Sequence, residues 1–169
     1  MTAEDEATAY HEAGHAVVAV TFWRSVVRVS IERDESTLGR VEHRPRGAAF
    51  RPDVEVDGRT RRALDVDIVI GWAGPLAEER FTGQFNEPGA QRDLDRGFDC
   101  TLYITQGDTE EAGAYLEWLR FRTLRLMREP LLWPQVEGVA AALRERRELG
   151  GIGVRRTMAE VTRKVMAAE

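Results

Sequence analysis

The sequence contains one cysteine, three histidines and no long apolar run, and each shortage narrows what the protein can be. With Cys100 alone, no disulfide can form within the chain, which favours a reducing compartment. The apolar run at 16–20, extended by Phe22 and Trp23, is too short to cross a bilayer. The acidic first six residues lack the basic and apolar regions of a signal peptide. We therefore expect a cytoplasmic protein with no membrane segment.

Basic residues are fewer than acidic ones: the sequence has 24 Lys and Arg and 29 Asp and Glu, for a formal net charge of -5. A protein that binds nucleic acid through bulk electrostatics has the opposite balance, so we expect no nucleic-acid partner. Hydrophobic residues make up 43% of the 169, which is enough for a core. The length fits one ordinary domain, and we expect a single domain over 1–169.

The spacing of apolar residues predicts a mainly helical α+β protein with a small hairpin or sheet near its N-terminus. Helical periodicity covers residues 4–22, 60–81, 90–104, 109–127, 135–148 and 157–168. Residues 24–33 alternate like a half-buried strand, and 38–43 are the expected return strand after a turn at 34–37. The prolines and glycines of 44–58 predict a loop. Thr109 is the expected N-cap of the fourth helix.

The first predicted helix contains the sequence His-Glu-Ala-Gly-His at residues 11–15. Positions i and i+4 of a helix lie on one face, so His11 and His15 can bind one Zn²⁺ together. Glu12 is rotated around the helix and can reach a water on the metal instead of the metal itself. Zinc lowers the pKa of such a water to about 7, and Glu12 can then act as the base in hydrolysis. The competing interpretation is a solvent-facing histidine pair beside an ordinary surface glutamate.

A catalytic zinc site needs a third protein ligand, and the sequence offers several. No histidine lies between positions 15 and 43, which excludes the peptidases whose third histidine closely follows the second. His43 remains, together with two groups of carboxylates further along the chain. These are Glu78 and Glu79 in one group, and Asp93, Asp95 and Asp99 in the other. Spacing alone does not choose between a glutamate and an aspartate.

Stretches of the chain resemble, in order, the peptidase domain of FtsH, the membrane-bound AAA+ zinc protease. They are 9–16 around the zinc motif, 27–39, 73–83 beginning Ala-Gly-Pro-Leu-Ala-Glu-Glu, and 88–94, which reads Pro-Gly-Ala-Gln-Arg-Asp-Leu. The resemblance implies a helical zinc-peptidase domain with Asp93 as the third zinc ligand. It also implies that Glu78 or Glu79 orients a ligand histidine through its free ring nitrogen. We interpret His43 as a surface residue at a strand end.

The chain departs from that family in ways that bear on its activity. It has no Gly-x-x-x-x-Gly-Lys-Ser/Thr phosphate loop, so it cannot itself unfold substrates with ATP, and Pro75 stands where the family more often has arginine. We expect a zinc-dependent, ATP-independent endopeptidase that acts on unfolded or exposed polypeptide segments. A homo-oligomer or a separate ATPase partner fits this expectation.

Two other functions compete with the endopeptidase. One is a zinc-containing regulatory or adaptor domain without turnover, and the other is a zinc hydrolase acting on a non-peptide amide. The intact Glu12 favours an enzyme, because a binding module needs no base. Peptidases commonly hold substrate as a strand added to a sheet edge, and the candidates here are the strand at 27–31 or its partner around Val41.

Overall fold

The computed structural model describes residues 2–32 and 39–168. The chain is mainly helical, at 69% helix, with a small antiparallel sheet, which confirms the predicted fold class. The elements in chain order are α1 (Ala3–Thr21), β1 (Val26–Ser30), β2 (Arg40–His43), α2 (Gly58–Thr82), α3 (Glu87–Ile104), α4 (Thr109–Leu126), α5 (Leu132–Arg146), β3 (Glu148–Gly150) and α6 (Gly151–Met166). The predicted turn at 34–37 and Leu38, the first residue of the predicted return strand, lie outside the described residues.

Helix α1 is the central helix, and its first turn is held by paired side-chain caps. The Thr2 hydroxyl accepts from the Asp5 amide at 3.1 Å, and the Asp5 carboxylate accepts from the Thr2 amide at 3.0 Å. Acidic residues in this turn also interact favourably with the helix dipole. From residue 12 to residue 19 the helix is buried, with α2 on one side and α5 on another. The His-Glu-Ala-Gly-His motif therefore lies inside the protein and not on a solvent-facing surface.

The sheet has the order β2-β1-β3, with both outer strands antiparallel to β1. Strand β3 corrects the sequence prediction, which extended the fifth helix to 148. Helix α5 ends at Arg146 because Arg147 adopts a left-handed conformation, with φ at 64°, that turns the chain back toward β1. Leu149 of β3 is buried and pairs with Val29. A strand of three residues is too short for alternation to reveal it.

Several helix starts also differ from prediction. The cap of α4 is Asp108 and not Thr109, because the Asp108 carboxylate accepts from the Glu111 amide at 2.8 Å. Helix α3 begins at Glu87 rather than 90, and α6 at Gly151 rather than 157. Glycine and proline near these starts made the first turns look like loops in the sequence. Proline is nevertheless compatible with a first helical turn, because its missing N–H has no partner there.

The helices pack in a way that brings distant parts of the chain to the middle of α1. Helix α2 lies along α1, and α3 and α4 pack on α2, whereas α5 lies on another side of α1 and carries α6. One core of apolar side chains runs through these contacts and under the sheet. No helix in the described part of the chain is long and apolar enough to cross a membrane.

Candidate metal centre

Three side chains from two distant helices converge at the middle of α1. His11 and His15 face each other with 3.0 Å between their Nε2 atoms. Asp93, on α3, places Oδ2 at 3.2 Å from His11 Nε2 and 3.3 Å from His15 Nε2. The three ligand atoms thus form a nearly equilateral triangle with one ring nitrogen, or one carboxylate oxygen, at each corner.

The size and chemistry of this triangle fit a zinc ion. Ligand atoms about 2.0–2.1 Å from a tetrahedral ion lie roughly 3.3 Å from one another, which matches the separations here. Two imidazole nitrogens and one carboxylate oxygen are also donors that zinc commonly takes in catalytic sites, with the fourth position open. Among the described residues this is the group identified as able to hold a metal ion.

His15 is oriented by α2. Its Nδ1–H donates to the backbone carbonyl of Ile70 at 2.7 Å, which leaves the lone pair of Nε2 pointing into the triangle. Gly74, one turn further along α2, lies against the other edge of the ring, where a Cβ atom would overlap Nε2. His15 can therefore take this position only because residue 74 has no side chain.

His11 is oriented by a carboxylate. Its Nδ1–H donates to Glu78 Oε2 at 2.8 Å, and the second oxygen of Glu78 accepts from the Asn86 amide at 2.8 Å. Glu78 is itself buried. The sequence left Glu78 and Glu79 as equal candidates for a contact with a histidine of the motif, and of the two the structure places Glu78 on His11.

These tautomers leave Nε2 of both rings as an acceptor when the rings are neutral, and both face the Asp93 carboxylate. Three acceptors at hydrogen-bonding distance repel one another unless a cation or a proton lies between them. The carboxylates accordingly raise the pKa values of the two histidines. Burial opposes protonation of His11, but its hydrogen bonds to Asp93 and Glu78 outweigh burial and raise its pKa to about 10.

The pKa of His15 is also raised, and the pKa of Asp93 is lowered. Burial alone would lower the pKa of His15, but the charge of Asp93, its hydrogen bond to the ring and the charge of Glu12 together outweigh burial and raise the pKa. Burial alone would raise the pKa of Asp93, yet the two histidines hold it well below its usual range. The triangle therefore favours added positive charge, and a divalent cation satisfies all three acceptors at once.

Glu12 stands beside the triangle without belonging to it. The side chain is buried, at 6% exposure, and burial raises the pKa of its carboxyl although the neighbouring histidines oppose this. Gly39, the residue before β2, lies over it, and a Cβ at that position would be 2.7 Å from Glu12 Oε1. A carboxylate so placed, with a raised pKa, has the properties of a general base.

The remaining candidates lie outside the cluster. His43 is half-buried at the end of β2, and burial lowers its pKa; its Nδ1 has no hydrogen-bond partner in the described part of the chain. Asp95 and Asp99 are exposed on α3. Asn86, which lies in the break before the predicted third helix, is not among the residues predicted for the site. An asparagine preceding Pro88 and Gly89 is a helix-start signal that would have pointed to it.

No family model matches this chain, and no curated protein matches it. The resemblance of its motifs to the FtsH peptidase domain therefore stays a prediction from the sequence.

Proposed function

We propose that this protein is a zinc-dependent endopeptidase that hydrolyses peptide bonds in unfolded or exposed polypeptide segments. The observation that carries the proposal is the triangle of His11, His15 and Asp93 with the buried Glu12 carboxylate beside it. We further propose that it acts in the cytoplasm, where Cys100 stays reduced, and without ATP in this chain.

Each residue of the site has a distinct role in this proposal. His11, His15 and Asp93 would hold Zn²⁺, which as a Lewis acid polarises the scissile carbonyl and promotes deprotonation of water. Glu12 accepts a proton from the attacking water and then passes it to the leaving amine, so that carboxylate and amine are released. Glu78 keeps the His11 ring turned toward the metal.

The sheet supports a polypeptide as the substrate. Strand β1 is flanked on both sides and has no free edge for a substrate, which excludes one of the two strands considered above. Among the strands of the described residues β2 is an outer one, and Gly39, just before it, lies against Glu12. A peptide added alongside β2 would therefore run past the catalytic carboxylate with its backbone extended.

The test combines metal content with hydrolysis of an unfolded protein. We expect about one zinc per chain by elemental mass spectrometry in the wild type and in Glu12→Gln. We expect the wild type to cleave reduced, alkylated casein without ATP, and Glu12→Gln to be slower by at least about 100-fold. The variant keeps the shape of the side chain and loses its basicity, so it separates catalysis from folding.

Other outcomes would favour the competing functions. Cleavage by Glu12→Gln at the wild-type rate would contradict the mechanism. One zinc per chain without any cleavage would favour a regulatory or adaptor domain, or a peptidase subunit that needs a separate ATPase. A protein that stays free of zinc after zinc addition would overturn the metal site.

A further inference from the structure

Asn86 makes two hydrogen bonds that join two parts of the candidate site. Its Nδ2 donates to Glu78 Oε1 at 2.8 Å, and its Oδ1 accepts from the Gly89 amide at 3.1 Å as the N-cap of α3. Glu78 holds His11, and α3 carries Asp93. One side chain thus connects the carboxylate that orients the first ligand to the helix that supplies the third.

The chain between α2 and α3 is folded so that this contact can form. Helix α2 ends at Thr82, and the capping residue Gly83 adopts the left-handed conformation, with φ at 79°. The Thr82 hydroxyl donates to the Gln84 carbonyl at 2.9 Å. These turns bring residue 86 back over Glu78. A Cβ atom at Gly89 would overlap Asn86 Nδ2. The Asn86 side-chain amide can therefore take this position only because residue 89 has no side chain.

We propose that Asn86 is a positioning residue of the metal centre, an inference that rests on the proposed zinc site. Because Glu78 Oε2 accepts from His11 and Oε1 accepts from Asn86, both oxygens of this buried carboxylate are held and it cannot rotate away from the ring. Asn86 therefore fixes the His11 ring through Glu78 and sets where α3, with Asp93, begins.

The two bonds of Asn86 can be separated by substitution. Serine caps a helix about as well as asparagine, but it has no amide to reach Glu78. Asn86→Ser therefore removes the contact with Glu78 and keeps the cap, whereas Asn86→Ala removes both. The measurements are the dissociation constant for Zn²⁺ against a competing chelator, the visible spectrum of the Co²⁺-substituted protein, and the melting temperature of the metal-free protein.

We expect Asn86→Ser to bind zinc roughly three- to tenfold more weakly, below the 10- to 100-fold typical of losing a residue in direct contact with a ligand. We expect its Co²⁺ bands to shift, because the His11 ring turns, while its melting temperature stays near the wild-type value. Asn86→Ala should bind zinc as weakly as Asn86→Ser and also melt earlier.

A second variant approaches the same contact from the other side. Gly89→Ala places a methyl group where the Asn86 amide lies, although alanine is otherwise the better helix residue. We expect Gly89→Ala to bind zinc more weakly without a lower melting temperature, which a general loss of folding does not produce.

The outcomes separate this inference from the proposed function. Wild-type zinc affinity and unshifted Co²⁺ bands in both Asn86→Ser and Gly89→Ala would overturn the role of Asn86 and leave the zinc site standing. Failure of the wild type to bind zinc would overturn the site and the inference with it.

Discussion

Two pairs of packed helices in this protein, α1 with α2 and α5 with α6, differ in the kinds of residue that they bury. On α1 and α2 the buried residues include Glu12, His15 and Glu78. Between α5 and α6 the residues buried on the two helices are apolar or glycine, among them Leu143 and Val154. The pair α1 and α2 therefore buries charged and polar groups, whereas the residues buried on α5 and α6 form an apolar core.

The same contrast appears at a glycine in each pair. Gly74 on α2 lies against the ring of His15, whereas Gly138 on α5 lies against a methyl group of Val161 on α6, 2.5 Å from where a Cβ would stand. A methyl group can move aside by rotation, but a ring held by its hydrogen bond to Ile70 cannot. Burying polar groups is costly, so their retention between α1 and α2 points to chemistry and not to stability.

The largest effect should come from removing a corner of the triangle. We expect Asp93→Ala to weaken zinc binding by at least about 100-fold, the upper end for residues that only orient a ligand. Asp95→Ala is the matched control, because Asp95 lies on the same helix, is exposed and accepts a local hydrogen bond from Gln91 at 2.6 Å. Zinc titration against a chelator measures both.

This prediction also checks the choice among the carboxylates. If Asp93→Ala keeps its zinc while Glu78→Ala or Glu79→Ala loses it, the third ligand has been assigned wrongly. If Asp95→Ala loses zinc as well, the effect belongs to the helix and not to one side chain.

A smaller effect should follow from filling the two glycines. We expect Gly74→Ala to weaken zinc binding by about 10- to 100-fold, because the added methyl displaces His15, a change comparable with losing an orienting contact. Gly138→Ala should leave zinc affinity unchanged and lower the free energy of unfolding by about 1 kcal/mol through overpacking. Chelator competition and urea unfolding test the pair; equal zinc affinities in the two variants would remove the contrast between the helix pairs.

The smallest effect concerns Cys100. This residue lies on α3, as Asp93 does, but is not part of the triangle. Burial raises the pKa of this thiol to about 11, so little thiolate forms at pH 8. We expect alkylation of the native protein to be roughly 100-fold slower than in urea, since thiolate is the reactive form. Rapid alkylation of the native protein at pH 8 would show that α3 opens readily, and would weaken the view of a rigid helix presenting Asp93.

Periodicity predicted the helices and the hairpin because long amphipathic elements repeat their pattern over several turns. It placed the ends of α3 and α6 poorly, where Pro88 and Gly151 interrupt the pattern, and it missed β3 entirely. The pairing of β3 with β1 is a contact between segments far apart in sequence, and three residues carry no period of their own.

His11, His15 and Glu12 could be predicted without the tertiary structure, because one helical repeat sets the directions of residues 11, 12 and 15. The other members of the site depend on packing. Glu78 and Glu79 are adjacent on α2 and point about 100° apart, so only the contact of α2 with α1 decided that Glu78 meets His11. Asp93 is 82 residues from His11, and only the packing of α3 against α2 closed the triangle, since no local rule links positions so far apart.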